Sequence, residues 1–216
     1  MESAQYYKND TYINSMAKAF DVLANIFYKC IDEDLVTSLL SLDSDFFLID
    51  DLSLNEQVKE KVLKIKLLAT NSSLSLLKKD FNALFINPKG KLAYPWGSVY
   101  LSNDNRLFGE STFAFANFCK NNNILLNLPK NEPLDHFGVM LVVVVHCLES
   151  ELCNNDNLTK NLLEQHILIW SDRFLSLVIE HSSSGLYRTA AELCLLLLNN
   201  LKQQYHINII PISLFK

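Results

Sequence analysis

Asn131-Glu132-Pro133-Leu134-Asp135-His136 gathers two carboxylates and an imidazole into one short string. Such groups can pass protons, orient a nucleophile, ligate a metal or accept charge-assisted hydrogen bonds from a cation. On a helix, neighbouring residues point about 100° apart, so Asp135 and His136 pair poorly, whereas Glu132 and His136, four apart, can meet. The chain offers them no nucleophile motif: there is no GxSxG elbow and no Cys/His signature. His136, His146, His166, His181 and His206 form neither HxxxH nor HExxH. Cys147 and Cys153 stand on different faces of a helix. Pro88-Lys89-Gly90-Lys91 lacks the glycine spacing of a phosphate loop. No catalytic residue, metal site or cofactor is therefore expected. Taken alone, the string is a helix cap with a solvated or locally paired histidine.

The element that must position these groups follows at once. Phe137 to Cys147 is an uncharged, apolar run. Pro133 fits the first turn of a helix, and Asn131 or Glu132 can cap that turn. A helix apolar on nearly every side belongs at the centre of a domain or in a membrane. This run is well short of the ~20 residues a membrane span needs, so it is expected to be a central core helix, with no stable membrane insertion.

The remaining periodicity is also helical. Met16, Phe20, Leu23, Phe27 and Cys30 share one face, and Glu33 to Leu42 forms a second short helix. Ser53-x-x-Glu56 is a capping box for a helix with Val58, Val62 and Ile65 inward. Leu74, Leu77, Phe81, Leu84 and Phe85 line another. Residues 87 to 109 form one long irregular segment, of a kind that is often functional. Ser111 to Cys119 is helical, and after a polar break at Asn154-Asn155-Asp156-Asn157 a long helix carries Leu163, Ile167, Trp170, Phe174 and Val178. Ser182-Ser183-Ser184-Gly185 stops it. The last helix runs from Leu186 to about Tyr205, and Ile207 to Phe215, broken by Pro211, is an extended strap. The expected architecture is a single all-α globular domain over residues 1–216, with about eight helices around the apolar central one.

Composition narrows the function. The 216 residues are 49% hydrophobic and 20% charged, as in a folded domain, and a net charge of -5 disfavours nucleic acid. Five scattered cysteines make no disulfide framework, and Met1 to Tyr7 lacks a basic region followed by an apolar stretch. A reducing, cytoplasmic location is expected. Glycosylation-like patterns at Asn9, Asn71 and Asn157 are then chance matches. Phe81, Leu84 and Phe85, with Pro95-Trp96 after them, can be plain core or the walls of a groove for an apolar peptide; periodicity does not separate the two.

Three segments together resemble a known family. They are Tyr94-Pro95-Trp96-Gly97-Ser98-Val99-Tyr100-Leu101 with Leu107-Phe108-Gly109 after it, the string from Asn131 to His136, and Gly185-Leu186-Tyr187-Arg188-Thr189-Ala190-Ala191. Their order and spacing resemble the TorD/DmsD family of redox-enzyme maturation chaperones, and most the DmsD branch, over essentially the whole chain. The resemblance implies a non-enzyme of TorD-like fold in the cytoplasm. Such a protein binds the twin-arginine leader of a molybdoenzyme of the dimethyl-sulfoxide-reductase type, with Tat translocase components as further partners, and delays export until folding and cofactor insertion are complete. It implies leader contacts at Leu84, Phe85, Pro95, Trp96, Gly109, Pro133, Asp135 and His136. Phe81 stands where relatives carry tryptophan. Asn103 stands where they often carry a basic residue, and Arg106 is three positions away, so neither is assigned a role. A monomer is expected, with exchange of elements between two copies as the route to a dimer.

The physical reading agrees with that implication. Two guanidinium groups followed by an apolar stretch call for acids, Glu132 and Asp135, beside aromatic walls at Phe81, Leu84, Phe85 and Trp96. Burying about 400 Å² of leader contributes on the order of 10 kcal/mol gross, and ordering the leader removes part of it, leaving micromolar-class affinity. Two other classes compete. A non-catalytic helical adaptor for another peptide or protein would share the groove without the arginine requirement. A small hydrolase or nucleotide-handling enzyme would need a nucleophile beside Asp135 and His136.

Overall fold

Met16, Phe20, Leu23 and Phe27 are all buried on α1 (Asp10–Tyr28), as their spacing requires. The computed structural model describes residues 10–129, 131–154 and 157–216; the readings at Asn9, at Asn155-Asp156 and at the Cys153 side chain fall outside what is described. Against α1 packs α7 (Phe137–Asn154), and these two form the centre of the molecule. Their close approach depends on Gly138. A Cβ there would lie 2.7 Å from the Tyr28 Cβ and 3.0 Å from the Ala24 carbonyl oxygen.

The described residues form ten α-helices and no β-strand. Besides α1 and α7 they are α2 (Glu33–Ser41), α3 (Leu52–Asn71), α4 (Leu74–Phe81), α5 (Gly97–Leu101), α6 (Glu110–Asn121), α8 (Leu158–Leu162), α9 (Ser171–His181) and α10 (Leu186–Gln204). The all-α expectation holds. The two helices beyond the expected eight have local causes. α5 lies inside the segment expected to be irregular, and its five residues are too few to set up a readable period. The long helix expected after Asn157 is divided into α8 and α9 by a wide turn over Leu163–Ile167, where Leu168 N–H reaches back to the Leu163 carbonyl. A similar turn over Asn82–Ile86 ends α4.

The caps correct three expectations. Asp51, not Ser53, caps α3: its carboxylate accepts the Leu54 N–H at 2.9 Å. α7 begins at Phe137, so Pro133 lies before the helix and neither Asn131 nor Glu132 caps it. The central helix is not apolar all round either, because Val142, His146 and Glu149 form an exposed strip.

A cluster of rings fills the interior between α1, α7, α9 and α10. Phe137 lies 4.9 Å from Phe174 and 5.3 Å from Phe27, and Phe85 lies 5.7 Å from Tyr187, centroid to centroid. Such edge and tilted contacts suit the ring quadrupoles. One buried carboxylate locks the far end. Asp80 accepts hydrogen bonds from the Ser182 hydroxyl, the Ser183 N–H and both the N–H and hydroxyl of Ser184. Burial works to raise its pKa, but these four donors outweigh burial and hold it below the usual carboxylate value. The polar stop before α10 is thus tied to α4.

Candidate functional site

The two motif segments lie side by side. Trp96 and His136 form an isolated antiparallel bridge. Phe137 N–H donates to the Pro95 carbonyl at 2.7 Å, and Gly97 N–H donates to the Asp135 carbonyl at 3.1 Å. Asp135 adds a third bond: its Oδ2 accepts the Ser98 N–H at 2.6 Å. The carboxylate therefore occupies an orphan donor in the first turn of α5, from a segment elsewhere in the chain.

His136 caps α7. Its carbonyl accepts the Met140 N–H at 2.9 Å, and its Nδ1 accepts the Gly138 N–H at 3.2 Å. An accepting Nδ1 requires the neutral imidazole. Burial pulls its pKa from 6.5 down to about 3, which keeps it neutral. The Tyr28 ring at 5.1 Å and the Trp96 ring at 5.5 Å meet it edge-on.

Trp96 carries this scaffold to the surface. It is half-buried, and its indole Nε1–H donates to Glu132 Oε1 at 3.2 Å. Glu132, also half-buried, lies close enough to Tyr28 to reinforce, after burial, the upward shift of the phenol's pKa. Lys91 Nζ stands 5.6 Å from the Trp96 ring and 5.5 Å from the Tyr94 ring. Behind the bridge, Gly97 abuts the Trp170 ring, where a Cβ would meet it at 2.9 Å. Gly109 abuts Ser98, where a Cβ would meet the serine Cβ at 3.3 Å.

This geometry corrects the expected roles. Asp135 is 1% exposed and His136 6% exposed, so neither forms a charged rim. They join loops inside. Phe81, Leu84 and Phe85 are exposed by 2% or less and belong to the core beneath, not to groove walls. Pro95, Gly109 and Pro133 are buried as well. Trp96 and Glu132 are the expected site residues with open surface. The expected Glu132–His136 pairing gives way to the Glu132–Trp96 bond, because residues 131–136 are not helical. Tyr28 and Lys91 enter the site without any sequence signal, since only tertiary packing brings them there.

Among the described residues Asp135 and His136 assemble no triad. His136 Nδ1 is taken by a backbone amide, and the buried Ser98 hydroxyl has no hydrogen-bond partner. Among the described residues no group of three His, Cys, Asp or Glu side chains is placed to hold a metal ion, and no helix is long and apolar enough to cross a membrane.

A family model described as nitrate reductase delta subunit matches residues 51–176, which contain both motif segments. The Tat proofreading chaperone DmsD of Salmonella typhimurium is 33% identical over 140 residues, covering 65% of this chain and 67% of that protein. The chain belongs to the TorD/DmsD family of redox-enzyme maturation chaperones. The TorD chaperone of Vibrio cholerae serotype O1 is 26% identical over 185 residues, covering 80% of this chain and 84% of its own. A crystal structure from Archaeoglobus fulgidus, of a protein provisionally named for redox enzyme maturation, superposes with a TM-score of 0.57. It covers 93% of this chain and 99% of its own at 17% identity, which supports the fold alone. These TorD/DmsD relatives are chaperones rather than catalysts, in line with the expected non-enzymatic role.

Proposed function

We propose that this chain is a Tat proofreading chaperone that binds the twin-arginine leader of a molybdoenzyme of the dimethyl-sulfoxide-reductase type and delays its export in the cytoplasm until assembly is complete. The observation that carries this reading is the Trp96–Glu132 pair. An aromatic face lies beside a carboxylate, on a bridge fixed from within by Asp135 and His136. Guanidinium groups stack on indole and pair with carboxylate, so one small surface serves both needs of an arginine-bearing peptide. The names of the Salmonella and Vibrio relatives support the same reading.

The buried roles of Asp135, His136, Pro133, Pro95 and Gly109 fit it as positioning roles. Each shapes the loop that presents Trp96, without touching the peptide. Phe81, Leu84 and Phe85 support that loop from below: Ala93 N–H donates to the Leu84 carbonyl at 3.0 Å, just before Tyr94. Translocase components are further partners under this reading, and the protein acts as a monomer. The test is calorimetric titration with the leader of a molybdoenzyme and with the same leader carrying alanine at both arginines. Binding of the first and at least tenfold weaker binding of the second is expected. Equal affinities would favour the adaptor class.

A further inference from the structure

The strap after α10 supplies a peptide already seated near this site. Residues 207–216 form neither helix nor strand. Ile207 is buried, and Ile209 and Leu214 pack partly on the core. Beyond that the strap is held by few groups. Phe215 N–H donates to the Tyr100 carbonyl at 2.9 Å, Arg173 Nε donates to the Lys216 carbonyl at 3.1 Å, and Lys216 Nζ stands 4.6 Å from the Tyr94 ring centroid. Tyr100 lies in the last turn of α5, where carbonyls have no partner within the helix.

Tyr94 therefore has two ammonium groups near its ring, Lys216 from the strap and Lys91 from its own loop, and Lys91 also reaches the ring of Trp96. The occupant is an extended, apolar segment with a cation at the aromatic shelf. The leader proposed above combines the same two elements in the opposite chain order, its cations before an uncharged apolar run, whereas the strap carries one cation, Lys216, after its apolar residues. The strap is also loosely seated. Ile210 is 82% exposed, Ile212 49% and Phe215 50%, so little apolar burial opposes its release.

We infer that residues 208–216 and the leader compete for one shelf formed by Tyr94 and the Tyr100 carbonyl beside Trp96, with Lys216 as the placeholder for a leader arginine. Guanidinium is more weakly hydrated than ammonium and stacks on rings as a plane, so a leader arginine exchanges favourably for a lysine there. A backbone N–H of the leader replaces that of Phe215 on Tyr100. The strap thus lowers the apparent affinity by the fraction of time the shelf is closed. This inference rests on leader binding as proposed above.

Two measurements test it, with a synthetic peptide of two adjacent arginines followed by an uncharged apolar stretch as the probe. Amide hydrogen exchange on the full chain reads the strap directly. Phe215 N–H should lose its protection when the peptide saturates the protein, and a Phe215 amide that stays protected would overturn the competition. Calorimetry reads the closed fraction. Phe215→Pro with Lys216→Ala, and Lys216→Ala alone, should bind the peptide more tightly, by roughly threefold to tenfold for the pair. Unchanged or weaker binding by both variants would also overturn it. A wild-type chain that fails to bind the peptide at all would instead remove the leader-binding reading, and the competition with it.

Discussion

Asp135 accepts the Ser98 N–H at 2.6 Å, and this bond joins the two conspicuous motifs of the chain from inside. The acid reads from sequence as a ligand for arginine. In the fold it is a cap for α5, contributed by a segment distant in the same chain, that sets where Trp96 sits. Asp135→Ala removes an acceptor from a buried N–H and should cost about 1–3 kcal/mol in denaturant unfolding. Asp135→Asn keeps an acceptor oxygen and should hold most of the stability and most of the leader affinity. If Asp135→Asn folds as well as wild type yet loses leader binding, the carboxylate contacts the leader directly and the positioning role is wrong.

His136 should give the fold a specific acid sensitivity. Its folded pKa, about 3, lies below its ordinary value of 6.5, so the folded state binds fewer protons over that interval. Its contribution is complete above pH 6.5 and is lost as pH falls toward 3. Between pH 6.5 and about 5 the loss should approach about 2 kcal/mol. His166, whose pKa burial also lowers, acts in the same direction. His136→Asn isolates the effect, because asparagine is a good N-cap and does not titrate. Urea midpoints should converge for the two proteins at low pH and separate at neutral pH in favour of histidine, or at least show a shallower slope for the variant. Identical pH slopes would contradict the neutral-cap assignment.

How much was legible in the sequence depends on whether the deciding contact was local. The faces of α1 and α10 follow from repeated apolar spacing, because a helix must bury such a stripe. Phe81, Leu84 and Phe85 show the limit of that signal: the same spacing serves a core face and a groove wall, and only the rings of Phe174 and Tyr187 beside Phe85 decide for the core. The α3 cap differs by two residues because Asp51 and Ser53 can both serve as N-caps, and the chain's path into the helix selects Asp51. The bond from Ser98 to Asp135 and the four bonds to Asp80 join residues far apart in the chain, and no period in the sequence records them. The Trp96–Glu132 pair was legible as two candidate residues but not as a contact.

Asp80 illustrates a structural site with no functional motif around it. Asp80→Asn halves its capacity to accept and places an amide among the Ser183 and Ser184 N–H groups. A stability loss of about 3 kcal/mol is expected, since a carboxylate bonded to several donors in the interior is being replaced. Thermal unfolding monitored by circular dichroism checks it. A change in midpoint of only a degree or two would mean that the Ser182–Ser184 turn holds without the charge.

Glu132 separates charge from shape at the proposed site. Glu132→Gln retains an acceptor for the Trp96 indole and removes the negative charge. Stability should change by less than about 0.5 kcal/mol, as for most surface positions. Leader affinity should fall by roughly twofold to fivefold at low salt, with a smaller difference at high salt, as a partly screened charge contact requires. Equal affinities of the two proteins at low salt would remove Glu132 from the site.

Tryptophan emission gives the most direct measurement. Trp170 is buried among Tyr100, Phe137 and Phe174, whereas Trp96 is half-exposed, so a leader seated on the site reaches Trp96 alone. Titrating a twin-arginine leader into wild type and into Trp96→Phe should give a saturable spectral change in the first and none in the second. A flat wild-type titration at peptide concentrations where calorimetry shows saturation would contradict the placement of the leader at Trp96.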